Sequence, residues 1–277
     1  MSNNSLNVTL RDAAAVEPLA ADRFGVDISS LYSVMGHPNG GYLQCVLSSA
    51  ALAAASAQGA PHLHTTSITT NYVGSPEPAP AEIFTDVRRV GRGASFVHVT
   101  MMQGGVVTTE SLVTLGTLKE DSVLRYQDAQ IPDVAPLEEC HRVPGTDDVK
   151  TFNAVDLRLD PRSVGWWFGE VADRAELLGW IRLGDDGMRW DPWSILFASD
   201  AFPPATFPIG SSGWVPTLQL TSYARRIPQG EWLRARQWGV VIADGLVDER
   251  CEMFDERGQL VGSSSQLAMV RFPAPEK

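Results

Sequence analysis

Asp200 stands in the run WSILFASDAF, with Trp193, Leu196 and Phe197 seven, four and three residues before it. On a helix those positions lie on one side. A carboxylate among them is partly desolvated, which raises its pKa and makes it a better base. The plainer reading is that Asp200 closes the helix before Pro203. Thr217 opens VPTLQLTSYARR, where alternation puts Thr217, Gln219, Thr221 and Tyr223 on one face. Its hydroxyl can donate to a carboxylate and accept from water at once. Threonine is also simply a common strand residue. Gln266 shares a strand face with Ser264 and Ala268. Its amide both donates and accepts, so it can orient a water; it also suits a solvent-facing strand position. Gly40-Gly41 opens an apolar run. A helix N-terminus there would offer backbone N–H groups to an oxyanion, while a turn needing positive φ would explain the same glycines.

Other candidates carry less. His62 and His64 alternate onto one strand face, but two ligands without a spaced acid or cysteine are too few for a metal, and none is expected. Cys45 lies in an apolar helix and reads as packing. Arg92, between Gly91 and Gly93, could meet a phosphate or sit solvated in a turn. Gly104-Gly105 is a hairpin turn without the dinucleotide-binding context. Trp166-Trp167 and Trp180 suit packing of a linker onto the core, with an acyl channel as their other use. No G-x-S-x-G elbow is present, which disfavours an α/β-hydrolase.

The elements that must position these residues come in two similar sets. YLQCVLSSAALAAASAQG is rich in Ala and Leu, apolar nearly all round, and ends at Gly59, so an enclosed helix is expected. HTTSITTNYV, AEIFTDVRRV, SFVHVTMMQ and VVTTESLVTLG follow as strands separated by turn signals. In the second half Asp191-Pro192 reads as a helix start, and WSILFASDAF runs to Pro203-Pro204. VPTLQLTSYARR, WLRARQWGVVIA, LVDERCEMFD and QLVGSSSQLAMVRF are the strands. Thr66, Thr70 and Tyr72 match Thr217, Thr221 and Tyr223 at one offset of 151 residues. The stretch 119–165, with four prolines and little periodicity, reads as a crossover. The expected organisation is an N-terminal unit at 1–118, a linker at 119–165 and a C-terminal unit at 166–277. The class is α+β: a double hotdog, each unit a curved antiparallel sheet wrapped around a central helix.

The 277 residues are 44% hydrophobic and 20% charged, which rules out disorder. A net charge of −11 argues against a nucleic-acid partner, though a local patch could still take a small anion. Cys45, Cys140 and Cys251 are scattered, which fits a reducing cytoplasm rather than a disulfide framework. MSNNSLNVTLRDAAAVEP lacks the basic and apolar regions of a signal peptide. The most apolar stretch, 42–57, is interrupted by Gln44, Ser48, Ser49 and Ser56, so no membrane span is expected.

With these motifs in this order — PNGGYLQCVLSSA, TNYVGSPEPAPAEIFTDVRRVGRGASFVHVTMMQGG, GWIRLGDD, ILFASDAFPPATF, VPTLQLTSYARRIPQGEWL and GQLVGSSSQLAMVR — the chain resembles the double-hotdog acyl-CoA thioesterases of the thioesterase II type. The resemblance implies hydrolysis of fatty acyl-CoA, no cofactor, and an Asp, a Thr or Ser and a Gln that hold and activate water. These fall on Asp200, Thr217 and Gln266. Ser49 lies 151 residues before Asp200, so one active site per chain is implied. Hotdog enoyl-thioester hydratases would instead show a His about five residues after the Asp, and none follows Asp200. A non-catalytic acyl-thioester binder is the other rival. VVTTESLVTLG and GSSSQLAMVRF, taken as lightly charged sheet edges, suggest a homodimer or higher even assembly.

Overall fold

The computed structural model describes residues 8–184 and 188–273. The beginning of the N-terminal stretch weighed above as a signal peptide, and Asp185-Asp186 of GWIRLGDD, lie outside them. Asn39 caps the enclosed helix, α1 (Gly40–Ala57), its side chain accepting from the Tyr42 N–H. Gly59, at φ 81°, ends it as a left-handed residue that glycine adopts freely. Tyr42, Leu43, Gln44, Cys45, Val46 and Leu47 are all buried, so α1 has no solvent face along its first turns.

The strands longer than two residues are β1 (Glu17–Ala20), β2 (Arg23–Asp27), β3 (His64–Tyr72), β4 (Pro80–Val90), β5 (Ser95–Gln103), β6 (Val106–Gly116), β7 (Val155–Leu159), β8 (Glu176–Leu183), β9 (Thr217–Ala224), β10 (Leu233–Ala243), β11 (Leu246–Phe254) and β12 (Leu260–Met269). They form one antiparallel sheet in the order β1-β2-β4-β5-β6-β3-β9-β12-β11-β10-β8-β7, with the two-residue strand His141–Arg142 at the far edge. The block β4-β5-β6-β3 is repeated as β10-β11-β12-β9, so the sheet reads outward from its centre as two copies of one plan. The central pairing of β3 with β9 joins equivalent strands. Thr69 faces Thr221 and Thr70 faces Leu220; shifting by 151 residues turns each pair into the other. The register is that of an internal two-fold axis, and the Thr69 and Thr221 hydroxyls hydrogen-bond across it at 3.0 Å.

Helix α1 packs on β3 to β6 and crosses a second helix, α2 (Ser194–Ala198), which packs on β9 and β12. One continuous apolar core, running from Leu43, Val97 and Leu115 to Leu157, Ile195 and Met253, unites both halves.

Three expectations are corrected. The second helix spans five residues rather than the whole of WSILFASDAF. The stretch 119–165 contains β7, which pairs with β8 along five residues, so the second half of the sheet begins inside the presumed linker. Finally, VVTTESLVTLG and GSSSQLAMVRF are interior strands, each paired on both sides. Among the described residues the sheet's free edges are β1 and His141–Arg142, both short and exposed.

Candidate active site

Asp191 starts α2 by accepting from the Ser194 N–H at 2.7 Å. The helix ends at Ala198, and Asp200 follows where α2 meets the N-terminus of α1. Glycine makes that meeting possible. A Cβ on Gly41 would lie 2.8 Å from the Leu196 carbonyl and 2.9 Å from that of Phe197; one on Gly40 would lie 2.9 Å from Asp200 Oδ2. Neither glycine has positive φ. The Gly41 N–H donates to Asp200 Oδ2 at 3.0 Å, and the Asn39 amide donates to the same oxygen at 3.0 Å and to the Asp200 carbonyl at 2.8 Å. The N–H expected to receive a substrate oxyanion is therefore spent on Asp200. Gly40 and Gly41 are needed for close approach, not as open donors. Enclosure pushes the Asp200 carboxyl up to about 7. The amides of Gly41, Gly40 and Asn39 pull it down, and Glu249 pushes it further up. No protein hydrogen bond falls on Oδ1 among the described residues.

Thr217 does not share a face with Gln219, Thr221 and Tyr223. Thr217 faces Ala268 while Gln219 faces Leu267, so Leu218 is an extra residue in a bulge. The bulge turns Thr217 inward, onto the face that Ala268 shares with Gln266. Its hydroxyl donates to Gln266 Oε1 at 2.9 Å. The Gln266 Nε2 donates in turn to Glu249 Oε2 at 2.7 Å. Glu249 is 1% exposed on β11, and burial pushes its carboxyl up. Its Oε1 accepts from the Ala205 N–H at 2.5 Å and from Gln237 Nε2 at 2.8 Å, and Gln237 Nε2 also reaches the Pro203 carbonyl at 2.9 Å.

Asp200, Thr217, Gln266, Gln237 and Glu249 all line one cavity of about 590 Å³. Its remaining wall is largely apolar, with Phe152, Trp166, Phe202, Phe207 and Trp214, and among the described residues it contains no lysine or arginine. This is a largely apolar pocket with one base near neutrality and a hydrogen-bonded amide-hydroxyl pair on the same wall.

The sequence model of the acyl-CoA thioesterase N-terminal domain matches residues 29–116, and that of the C-terminal domain matches 134–270. The chain belongs to the acyl-CoA thioesterase family. A crystal structure described as a thioesterase II of Thermobifida fusca YX is 30% identical, covers 97% of this thioesterase and 100% of its own chain, and superposes with a TM-score of 0.86. A hotdog protein of unknown function from Alicyclobacillus acidocaldarius is 22% identical over 96% of this chain and 98% of its own, with a TM-score of 0.80, which shows the fold alone. An uncharacterised Mycobacterium tuberculosis protein is 25% identical over 96% of this chain and 99% of its own. The thioesterase is a thioester hydrolase with the double-hotdog fold.

Other sequence candidates fall away from the thioesterase's cavity. His62 Nε2 lies 3.1 Å from the Gly91 carbonyl, and His64 Nδ1 accepts from the Leu118 N–H. Among the described residues no group of acids, histidines and cysteines could hold a metal ion. Cys45 is fully buried, and burial pushes its thiol well up. Arg92 is exposed and outside the cavity wall. Trp180 donates to the Ala135 carbonyl and so ties down the crossover, whereas Trp166 lines the cavity and packs on Phe207 at 5.1 Å. Sequence reasoning missed Glu249, Gln237 and His37. His37 lines the cavity from the first half, with Nδ1 2.7 Å from Ser75 Oγ and its ring perpendicular to that of Trp214. The search for a histidine just after Asp200 could not find one supplied by the other half. No helix is long and apolar enough to cross a membrane among the described residues.

Proposed function

We propose that this chain hydrolyses acyl-CoA thioesters to free acid and coenzyme A by direct attack of water activated at Asp200. The observation that carries the reading is the Asp200 carboxyl, held at about 7 and opening onto the same cavity as the Thr217–Gln266 pair. A water between them gives a proton to Asp200 as its oxygen bonds to the thioester carbon. The carbonyl π electrons move onto oxygen, then return as the C–S bond breaks. The departing thiolate takes the proton from Asp200, which restores the base. Positioning removes the orientational cost, and general-base help contributes ~10²–10⁴-fold. No acyl-enzyme is required: Cys45 and Cys251 are buried thiols whose pKa values burial raises, poor nucleophiles near neutrality. The three unpaired cysteines support a cytoplasmic setting. A homodimer or larger even assembly stays within the proposal only through a surface other than the two strands first offered for it.

Thiol release across acyl-CoAs of graded chain length tests the reading. Steady turnover supports it. Binding without turnover would make the chain an acyl-thioester binder, and hydration of an enoyl-CoA without thiol release would point to chemistry between Asp200 and His37.

A further inference from the structure

We infer that Glu249 is a positioning residue that sets the direction of the hydrogen bonds through Gln266 and Thr217, so that the attacking water meets Thr217 as an acceptor. This rests on the hydrolase reading above.

Donors and acceptors set this direction. An ionised carboxylate only accepts, so the group of Gln266 that faces Glu249 must be its NH₂. Gln266 Oε1 is then turned to Thr217, whose single hydroxyl proton is committed to it. What Thr217 keeps for the cavity is a pair of lone pairs. A water there gives one proton to Thr217 and the other to Asp200 Oδ1. Both its protons are then held, and its own lone pair is left for the thioester carbon. In the reverse direction Thr217 would donate to that oxygen and compete with attack.

The same carboxylate also braces the segment that follows Asp200. Glu249 Oε1 accepts from the Ala205 N–H, and Gln237 bridges it to the Pro203 carbonyl. Glu249 is thus tied both to the base's own loop and to the amide that faces the water. Three N–H groups point into it, which favours the ionised form against the cost of its burial.

Glu249→Gln tests this, because it keeps the shape and the acceptor for Ala205 but places an NH₂ toward Gln266. Gln266 must then turn over, and Thr217 becomes a donor to water. The expected result is a kcat lower by roughly 10- to 100-fold with KM little changed, since only the reacting geometry is altered. The acid limb of kcat/KM should also move to lower pH, because one anion facing Asp200 is gone. The other titratable side chains around the pair are Tyr72 on β3, Cys251 on β11 and His37 on the cavity wall. Burial pushes the Tyr72 and Cys251 values up, away from that limb.

The exchange variant, Glu249→Gln with Gln266→Glu, restores the direction: the carboxylate at 266 accepts from both the amide at 249 and Thr217. It should recover part of the lost kcat. The probe is whichever acyl-CoA of the graded panel the wild-type chain turns over fastest. A wild-type chain inactive on the whole panel overturns the hydrolase reading, and this inference with it. An active wild type with a folded Glu249→Gln variant of unchanged kcat and acid limb overturns this inference alone. So does an exchange variant no faster than Glu249→Gln. If Glu249→Gln does not fold, the folded exchange variant decides: turnover supports the inference and inactivity overturns it.

Discussion

Asp200 is asked to be a base where a charge is poorly solvated, and that has a cost measurable apart from activity. Its folded pKa of about 7 lies above the ordinary value of 3.8. A group raised in this way contributes stability fully below the ordinary value, and that contribution is lost as pH rises through about 7. Asp200→Asn can still accept the Gly41 and Asn39 N–H groups. It should therefore melt higher than the wild type at pH 8, by up to a few kcal/mol, and the gain should shrink toward pH 4. The same variant should lose ~10²-fold or more in hydrolysis. The wild-type kcat/KM should rise with pH through a limb near 7, and thermal melts beside initial rates check all three. Asp200 was legible because a carboxylate in an apolar helix stands out and the family pattern fell on it. Glu249 was not, because Asp248, Glu249 and Arg250 together look like a solvated charge run. The signal was the period of two: Val247, Glu249, Cys251 and Met253 share the buried face, each at most 2% exposed.

Two elements at the site, α1 and β9, each carry a local feature that positions one side chain. Gly41→Ala would press a Cβ against the backbone carbonyls of Leu196 and Phe197, neither of which can swing aside. A loss of about 1–3 kcal/mol is expected in urea unfolding, together with a fall in kcat as Asp200 shifts. Deleting Leu218 should close the β9 bulge and leave Thr217, now next to Gln219, on the inner face opposite Ala268. Hydrolysis should then fall far less than in Thr217→Val, while circular dichroism stays that of the folded sheet; a loss as large as that of Thr217→Val would mean that regular alternation does not hold Thr217 inward. The eight main strands and α1 were readable from alternation and from the Asn39 and Gly59 punctuation. The bulge was not, since alternation alone carries no mark of one extra residue. β7 was missed because VDLRL is short and is closely followed by Pro161. The length of α2 was overread because its apolar run continues past the helix as buried coil: Ala201 and Phe202 are buried outside any helix.

At the scale of the whole molecule, the internal two-fold axis was visible in the 151-residue offset, and the β3–β9 register obeys it residue by residue. What the offset could not give was the order of strands, and so the edges were misplaced. The true edges are short, and edge-to-edge assembly is disfavoured; light scattering should show no concentration-dependent growth through them. The two halves have also parted chemically. Ser49 stands where the second half has Asp200, and Pro192, which has no N–H to donate, stands where the first half has Gly41. Ser49→Asp in the Asp200→Asn background should therefore restore no hydrolysis; recovered turnover would show that the silent half keeps a working site. The symmetric pairing thus has a hereditary consequence. In a dimer of identical units every substitution is written into both lips of the cleft. With both units in one chain each substitution is written once, so one copy is free to keep the chemistry while the other drifts into being its wall.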